Sequence, residues 1–279
     1  MGVRRFDAAY LRDTRRGMWA DRGALVDLDL SSRERVLDVG CGTGEFSAAL
    51  RAGTDAPVVG VDADTDLLEV ARHGPGGVGS DGSTTEDGPF PVVGGDALSL
   101  PVRDDGVDLA ACQALLINLA EPAAAVGELA RVSADLVAAV EPDNAAVSVD
   151  STVDREEALE RRARAAYLDG VDTDVTLGAV DDLFREAGVE VVSTRRHDHT
   201  RVVEPPYDER DLRAARRKAT GAGLAGDRAT LLAGGLSPEE YDDLRAEWRA
   251  MGRSVVGAME REEYRRRETV PFHVTVGRV

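Results

Sequence analysis

The segment from Val36 to Phe46, VLDVGCGTGEF, combines one carboxylate with a glycine-rich turn. An apolar run ends in a turn that has glycine at positions 40, 42 and 44, and a helical pattern follows. Glycine tolerates positive φ and lets a ligand approach the main chain closely. Asp38 stands just before the turn, where a carboxylate can meet a cation or an ammonium group. We interpret this segment as a ligand cradle lined by main-chain atoms.

Polar side chains also follow the next three apolar segments. Asp62 lies 18 residues after Gly44 and could accept two hydrogen bonds from ribose hydroxyls. The run Gly95–Ala97 offers a carboxylate (Asp96) and a main-chain N–H that could recognise an adenine edge. The segment Val107–Cys112 leads into Gln113. All these ends fall on the carboxyl edge of a predicted parallel sheet, where open α/β folds bind ligands.

The elements that position these residues alternate between residues 35 and 141. Short apolar strands followed by helical patterns are typical of a parallel sheet covered on both faces. We therefore predict an α/β fold with a doubly wound, mostly parallel sheet. The predicted strands are Val36–Val39, Val58–Val61, Val92–Gly94, Val107–Cys112, Leu136–Val140, Val189–Val192 and Phe272–Val279.

The remainder of the chain is predicted to be largely helical. We divide it into an N-terminal helical lead-in or lid over 1–34, a core over 35–204, a helical insertion over 205–268 and a final core strand over 269–279. A polar, glycine-rich surface loop is predicted over 74–91. These boundaries separate a ligand-binding core from two helical regions that could cover it.

A strong helix start occurs at Ser237, with proline at the next position and glutamate at Glu240. The helix that it opens, over 238–267, carries an apolar stripe at helical spacing. Such a stripe indicates packing in the core or a homodimer contact.

Composition excludes several classes of function. The chain of 279 residues has a net charge of −18, with 52 acidic and 34 basic side chains, and its single lysine is Lys218. Nonspecific nucleic-acid binding needs a basic surface, so we expect no nucleic-acid partner. The acidic, lysine-poor composition resembles proteins of salt-loving archaea. No signal peptide or membrane span is predicted, which favours a cytoplasmic protein without membrane contact.

Together these motifs resemble the class I S-adenosylmethionine-dependent methyltransferases, in particular the small-molecule, type-11-like branch. The resemblance is firm over 35–142, and it implies a seven-stranded sheet whose last strand is antiparallel and lies between the fifth and sixth. It also implies roles for single residues. These residues are Asp38, Gly40, Cys41, Gly42 and Gly44 for the methionine part of S-adenosylmethionine, Asp62 for the ribose, Ala63, Asp96 and Ala97 for the adenine, and Gln113 for the methyl-donor end.

The implied reaction is direct methyl transfer from the sulfonium to a small-molecule nucleophile. Such a reaction can proceed through alignment and exclusion of water, and the sequence offers no convincing catalytic base. The Pro-Pro motif typical of base and side-chain amino methylation is absent from Gln113–Asn118, which favours a small acceptor. A non-catalytic cofactor-binding protein is one alternative. A nucleotide-dependent oxidoreductase is another, disfavoured because the third glycine is Gly44 and position 45 is glutamate.

No metal site is predicted. His197 and His199 would point to one side of a strand, but two ligands without a third make a weak metal motif.

Overall fold

The fold is seen in a computed structural model that describes residues 8–73 and 90–279. The predicted loop over 74–91 lies almost entirely outside these residues, as do residues 1–7 of the lead-in. The helices are α1 (Ala8–Arg15), α2 (Glu45–Arg51), α3 (Thr65–Arg72), α4 (Pro122–Val132), α5 (Glu156–Gly170), α6 (Asp181–Glu186), α7 (Glu209–Thr220), α8 (Ala222–Gly226), α9 (Arg228–Ala233) and α10 (Pro238–Glu260). The strands are β1 (Val36–Val39), β2 (Val58–Asp62), β3 (Val92–Gly94), β4 (Val107–Gln113), β5 (Ser133–Pro142), β6 (Ser148–Ser151), β7 (Glu190–Val203) and β8 (Arg266–Arg278).

The chain divides into two compact units. The first comprises Met1–Pro142, Leu177–His197 and Phe272–Val279, and the second comprises Asp143–Thr176 and Asp198–Pro271. The predicted insertion over 205–268 falls within the second unit, which also takes up residues 143–176.

A mostly parallel sheet forms the centre of the first unit, in the order β3-β2-β1-β4-β5-β8. Neighbouring strands from β3 to β5 are parallel, and β8 is antiparallel to β5. Strand β1 is buried along its whole length because it lies between two other strands and beneath helices on both faces. The predicted α/β doubly wound fold is therefore confirmed, including an antiparallel last strand beside the fifth.

Five strands (β2, β4, β5, β7 and β8) extend beyond their predicted bounds, β7 by the most, and one strand was missed. Strand β7 continues to Val203 through a polar, charged run that has no regular apolar alternation, so periodicity could not reveal it. The described residues contain eight strands, one more than the seven expected. The additional strand, β6, pairs with β8 in the second unit and buries only Val149 among its four residues. A strand with one buried side chain leaves no readable pattern.

The N-terminal lead-in is less helical than predicted. Helix α1 ends at Arg15, and the chain continues through 3-10 turns at Gly23–Leu28 and Leu30–Ser32. Its apolar side chains are nevertheless buried, including Met18, Trp19 and Leu28. This segment therefore packs on the fold without forming the continuous helices that the sequence predicts.

The second unit has a helical core of its own. Helix α10 begins with the predicted capping box, in which Ser237 and Glu240 bond each other's main chain. Its apolar stripe is buried against the other helices of this unit at Tyr241, Leu244 and Met251. Lys218 of α7 is paired with the buried Glu156 and Glu160 of α5.

Helices α7 and α10 approach each other closely at Gly252. A Cβ at this position would lie 2.3 Å from the main-chain nitrogen of Ala219, so we expect Gly252→Ala to force the helices apart. Overpacking of this kind costs about 1–3 kcal/mol in the free energy of unfolding, which thermal or urea denaturation would measure.

Gly257 on the same helix is the matched control. The atom nearest to a Cβ added at Gly257 would be Arg261 Nη1, at 3.5 Å. Alanine is also a better helix former than glycine, by about 0.5–1 kcal/mol. Gly257→Ala should therefore leave stability unchanged or raise it. Equal effects of the two substitutions would contradict the close helix contact.

Candidate functional site

The carboxyl ends of four parallel strands bring the predicted polar residues to one edge of the sheet. Val39 of β1 lies opposite Val61 of β2 and Cys112 of β4. Asp62 and Gln113 are the last residues of β2 and β4 and therefore reach this edge together. The structure thus brings these predicted residues to the same edge of the sheet.

The glycine-rich turn after β1 takes a shape that other residues would not tolerate. Gly40, Gly42 and Gly44 all have positive φ, between 55° and 91°. A Cβ on Gly40 would lie 2.8 Å from Leu115, and one on Gly44 would lie 2.7 Å from Phe90. Because glycine has no side chain, the turn can pack directly against its neighbours, and its main chain lies at the edge of the sheet.

Cys41 is part of the same turn and is buried. Its sulfur would lie 2.7 Å from a Cβ at Gly60, so the thiol packs against β2. Burial raises the pKa of the Cys41 thiol, which keeps it protonated and unreactive. Cys41 can therefore contribute main-chain atoms to the site, while its side chain serves packing.

Asp38 is a fully buried carboxylate with half of its hydrogen-bonding capacity unused. Its Oδ2 accepts a hydrogen bond of 2.5 Å from Ser47 Oγ, whereas Oδ1 has no partner among the described residues. Burial raises its pKa to about 7, against the opposing effects of Ser47 and the positive charge of Arg15. Ser47 was not predicted, although its position one turn into α2 places it beside Asp38. This carboxylate is suited to receive an ammonium group.

Asp62 is held by main-chain donors. Its Oδ2 accepts from Gly42 N at 2.8 Å and its Oδ1 accepts from Asp64 N at 2.9 Å. Each carboxylate oxygen can accept a second hydrogen bond, so both remain able to bind a hydroxyl. Burial raises the pKa of this half-buried group. Asp62 thus fixes the glycine turn and presents acceptors, with the exposed Ala63 beside it.

Asp96 and Ala97 lie just after β3, the neighbour of β2. Gly95 N donates to the main-chain oxygen of Asp62 at 3.0 Å, which brings this turn beside the end of β2. The exposed Asp96 accepts from Leu98 N at 2.9 Å, and Ala97 is half-buried. The carboxylate is therefore positioned by its own turn and faces solvent.

Gln113 is buried and contacts the N-terminal segment. Its Oε1 accepts from Trp19 Nε1 at 3.1 Å, and its Nε2 lies 3.0 Å from Met18 Sδ. Trp19 in turn stacks on His197 at 5.1 Å and packs against Phe46 at 5.5 Å. The amide at the end of β4 is thus covered by an aromatic cluster.

Glu141 was missed as a site residue. It is fully buried near the end of β5 and accepts from the main-chain N–H groups of Leu115 and Leu116 at 3.0 and 2.9 Å. Burial raises its pKa to about 7. The sequence did contain a signal for this residue, a glutamate at the end of an apolar strand. Glu141 fixes the turn after β4, where Ala114 has a φ of 47°.

Two other polar residues, Asp108 and His197, have structural roles in the described part of the chain. Asp108 is near the opposite end of β4, where it accepts from Glu34 N and Arg35 N at 2.8 and 2.7 Å. His197 stacks on Trp19, and its Nε2 lies 2.9 Å from the main-chain oxygen of Met18. In the described part of the chain, no group of three or more His, Cys, Asp or Glu side chains could hold a metal ion. No helix there is long and apolar enough to cross a membrane.

Comparison with known proteins agrees with this geometry. Residues 37–135 match the family described as a methyltransferase domain. Over 99 residues the chain is 38% identical to a demethylmenaquinone methyltransferase of Clavibacter sepedonicus, and over 105 residues it is 34% identical to a methyltransferase of Streptomyces halstedii. Each match spans 36% of the relative's length and 36% or 38% of this chain.

A solved structure extends the similarity of the fold. It comes from Bacillus halodurans and belongs to a protein assigned as a methyltransferase. The alignment covers 92% of this chain and 98% of that one, with a TM-score of 0.51 and 16% identity. Residues 37–135 therefore match a methyltransferase domain, and the fold resembles that of the solved structure. The cofactor that the resemblance in the sequence implies is S-adenosylmethionine.

The described residues fit this cofactor on two observations. Asp38 offers a buried oxygen without a partner, which complements the cofactor's ammonium group. The turn follows directly after Asp38, and its glycines pack so closely at positions 40 and 44 that a Cβ would collide with Leu115 or Phe90. Both features lie at the same sheet edge as Asp62, whose carboxylate can accept from a ribose.

The pKa of Asp38 predicts how cofactor affinity depends on pH. Binding an ammonium group requires ionised Asp38, and its pKa is about 7 without ligand. Affinity for S-adenosylhomocysteine, the product that keeps the ammonium group, should therefore fall by up to about tenfold per pH unit below pH 7. Calorimetric titration across roughly pH 5.5 to 7.5 would measure it.

Two variants separate Asp38 from its neighbours. Asp38→Asn should weaken binding and flatten the pH profile. Glu141→Gln should keep the slope, because Glu141 has a similar pKa but binds the turn after β4. A slope that survives in Asp38→Asn would exclude Asp38 as its source.

Proposed function

We propose that this protein transfers the methyl group of S-adenosylmethionine to a small-molecule acceptor. The observation that carries the proposal is the buried Asp38, with one free oxygen, at the start of a glycine turn that is itself bonded to Asp62. The methyltransferase domain over residues 37–135 supports the proposal. The matches to curated relatives span about a third of their length, so the acceptor is argued from this chain alone.

We assign the parts of the cofactor to residues of the sheet edge. Asp38 and the main chain of Gly40–Gly44, including Cys41 and Gly42, would hold the methionine part, and Asp62 would bind the ribose hydroxyls. The residues proposed to surround the adenine and the methyl-donor end are Ala63, Asp96, Ala97 and Gln113. The strand register supports this assignment because neighbouring strand ends face neighbouring parts of one extended ligand.

Bound S-adenosylmethionine supplies an electrophilic methyl group on a sulfonium, which an acceptor nucleophile takes by direct displacement. The chain contributes alignment and exclusion of water, for which the buried Met18 and Trp19 against Gln113 are suited. Proximity and orientation alone can supply about 7–11 kcal/mol of the barrier. We therefore propose catalysis by positioning, without a dedicated catalytic base.

We propose the type of methyl acceptor, the partners and the cellular setting from the net charge of the chain. A net charge of −18 disfavours nucleic acid and favours a small, neutral or cationic acceptor. The same acidic, lysine-poor composition supports a cytoplasmic protein of a salt-loving archaeon. A homodimer through residues 238–267 would need the outer face of α10, because the apolar stripe is buried within its own unit.

Asp62→Ala tests the cofactor assignment. Loss of two hydrogen bonds to ribose should weaken S-adenosylmethionine binding by about ten- to a hundredfold, or about 1.5–3 kcal/mol, in calorimetric titration. Asp66→Ala is the control, because Asp66 is an exposed residue of the neighbouring helix α3. Equal affinities in the two variants would contradict the placement of ribose at β2.

Methyl transfer itself is tested with the methyl-labelled cofactor. We expect label to enter a low-molecular-weight fraction of a cell extract, and not its nucleic acids, because the acidic surface repels polyanions. Cofactor binding without transfer to any fraction would identify a non-catalytic binding protein. Label in nucleic acid would refute the small-molecule acceptor.

A further inference from the structure

Three arginines of the second unit lie around one turn. Helix α7 ends at Gly221, which has a φ of 67°, and the chain continues from there into α8. A Cβ on Gly221 would lie 3.0 Å from Arg249 Cγ and 3.3 Å from Arg245 Cγ, so the stems of both arginines pack over the turn. A Cβ on Gly223 would lie 3.5 Å from Arg217 Nε. We call Arg217, Arg245 and Arg249 the arginine cluster.

The arginine cluster has no anionic partner in the described part of the chain. No ion pair or side-chain hydrogen bond joins any of the three guanidinium groups to a described residue. Arg217 and Arg249 are exposed, whereas Arg245 is half-buried and its Nε is enclosed without an acceptor. A buried donor without an acceptor costs free energy. An anion that reaches the cluster would therefore supply what the described residues do not.

Repulsion within the cluster adds to this cost. Arg245 and Arg249 are four residues apart on α10, and like charges at this spacing destabilise a helix. The neighbouring Lys218 differs, because it is paired with Glu156 and Glu160. The unit thus neutralises one cation of this region with its own carboxylates and leaves three others together without one.

The end of α7 does not explain why the cluster forms. The carboxyl end of a helix attracts cations, but the last carbonyl groups of α7 have other donors. Gly221 N donates to the carbonyl oxygen of Lys218 at 3.0 Å. Thr220 Oγ1 donates to those of Arg216 and Arg217 at 3.0 and 3.1 Å. The guanidinium groups of the cluster therefore keep their N–H donors for another acceptor.

We propose that the arginine cluster binds the phosphate group of a small ligand, either free phosphate or a phosphate monoester. A phosphate group carries close to two negative charges at neutral pH and has three strong acceptor oxygens. Each guanidinium can donate two parallel hydrogen bonds to such oxygens, and three of them can surround one phosphate. A carboxylate has one charge and two oxygens, which a single guanidinium already satisfies.

The charge of the whole chain favours a compact anion over nucleic acid. The net charge of −18 repels a polyanion wherever it extends past the arginine cluster. A single phosphate group needs only the cluster itself. The site belongs to the second unit alone, and it stands or fails independently of the proposed methyl transfer.

The test uses inorganic phosphate, titrated calorimetrically into the whole chain in chloride buffer at constant ionic strength. Wild-type protein should bind one phosphate. Arg217→Gln and Arg249→Gln change exposed side chains and should each weaken phosphate binding about tenfold or more. Arg261→Gln is the matched control, because Arg261 is exposed, is paired with Glu263 and lies about 18 Å further along the helix axis. It should bind phosphate as wild type does.

Arg245 is followed directly by nitrogen-15 NMR of the wild-type protein. Its Nε–H signal should shift and reach saturation as phosphate is added, while the signal of Arg261 should stay in place. Arg245→Lys keeps the charge without the planar fork and should bind phosphate more weakly than wild type. The NMR measurement needs no variant, so an Arg245 signal that does not move would overturn the inference even if Arg245→Lys failed to fold.

A monoester distinguishes the two sources of the phosphate group. Tighter binding of glycerol phosphate than of inorganic phosphate would identify a phosphorylated small molecule, and binding of inorganic phosphate at least as tight would identify free phosphate. Either result supports the site when the affinity falls in Arg249→Gln. Absence of binding, or equal affinities in wild type and Arg249→Gln, would overturn it. Acetate bound as tightly as phosphate, or an oligonucleotide bound more tightly, would refute the small phosphate ligand.

Discussion

The site depends on one constraint, a buried carboxylate with one oxygen that accepts no hydrogen bond from any described residue. Asp38 lies in the fully buried central strand, and among the described residues only Ser47 donates a hydrogen bond to its side chain. Raising its pKa to about 7 means that ionising it in the unliganded fold costs on the order of 4 kcal/mol, at 1.36 kcal/mol per pKa unit. Packing elsewhere must supply this free energy. A bound ammonium group would recover much of this free energy. The cost of ionising Asp38 without a ligand would thereby become a source of binding affinity.

The remaining features of the sheet edge fix the loops around that carboxylate. The glycine turn packs closely against Leu115 and Phe90, and Asp62 fixes the turn through Gly42 N. Glu141 performs the corresponding task on the other side of β1, where it holds the turn after β4 through three main-chain N–H groups. Asp62 and Glu141 thus order the loops on either side of Asp38. Rigid loops reduce the ordering cost of binding.

The parts of the site that follow strands could be predicted because sequence position fixes their location. In a parallel sheet every strand ends at the same edge, so Asp38, Asp62 and Gln113 could be grouped before any contact was known. Glu141 could not be, since its role depends on contacts between elements distant in sequence. Helix α1 has one buried side chain, Leu11, and gives no sign of what it packs on. The second unit was also beyond prediction in part, because β7 continues into it through a run without apolar alternation.

Pairing, and not burial alone, distinguishes the acids that serve the fold from the acid available to a ligand. In the second unit, Glu156, Glu160 and Glu268 are buried, and each has a cationic partner. Although burial opposes it, Arg266 and Arg201 lower the pKa of Glu268 to about 2. These carboxylates are neutralised within the unit, and even Lys218, the single lysine, is used for this purpose. Asp38 is equally buried, but no described cation forms an ion pair with it and its pKa moves upward. That difference supports the proposed role of Asp38 as the carboxylate that binds a cationic part of the ligand.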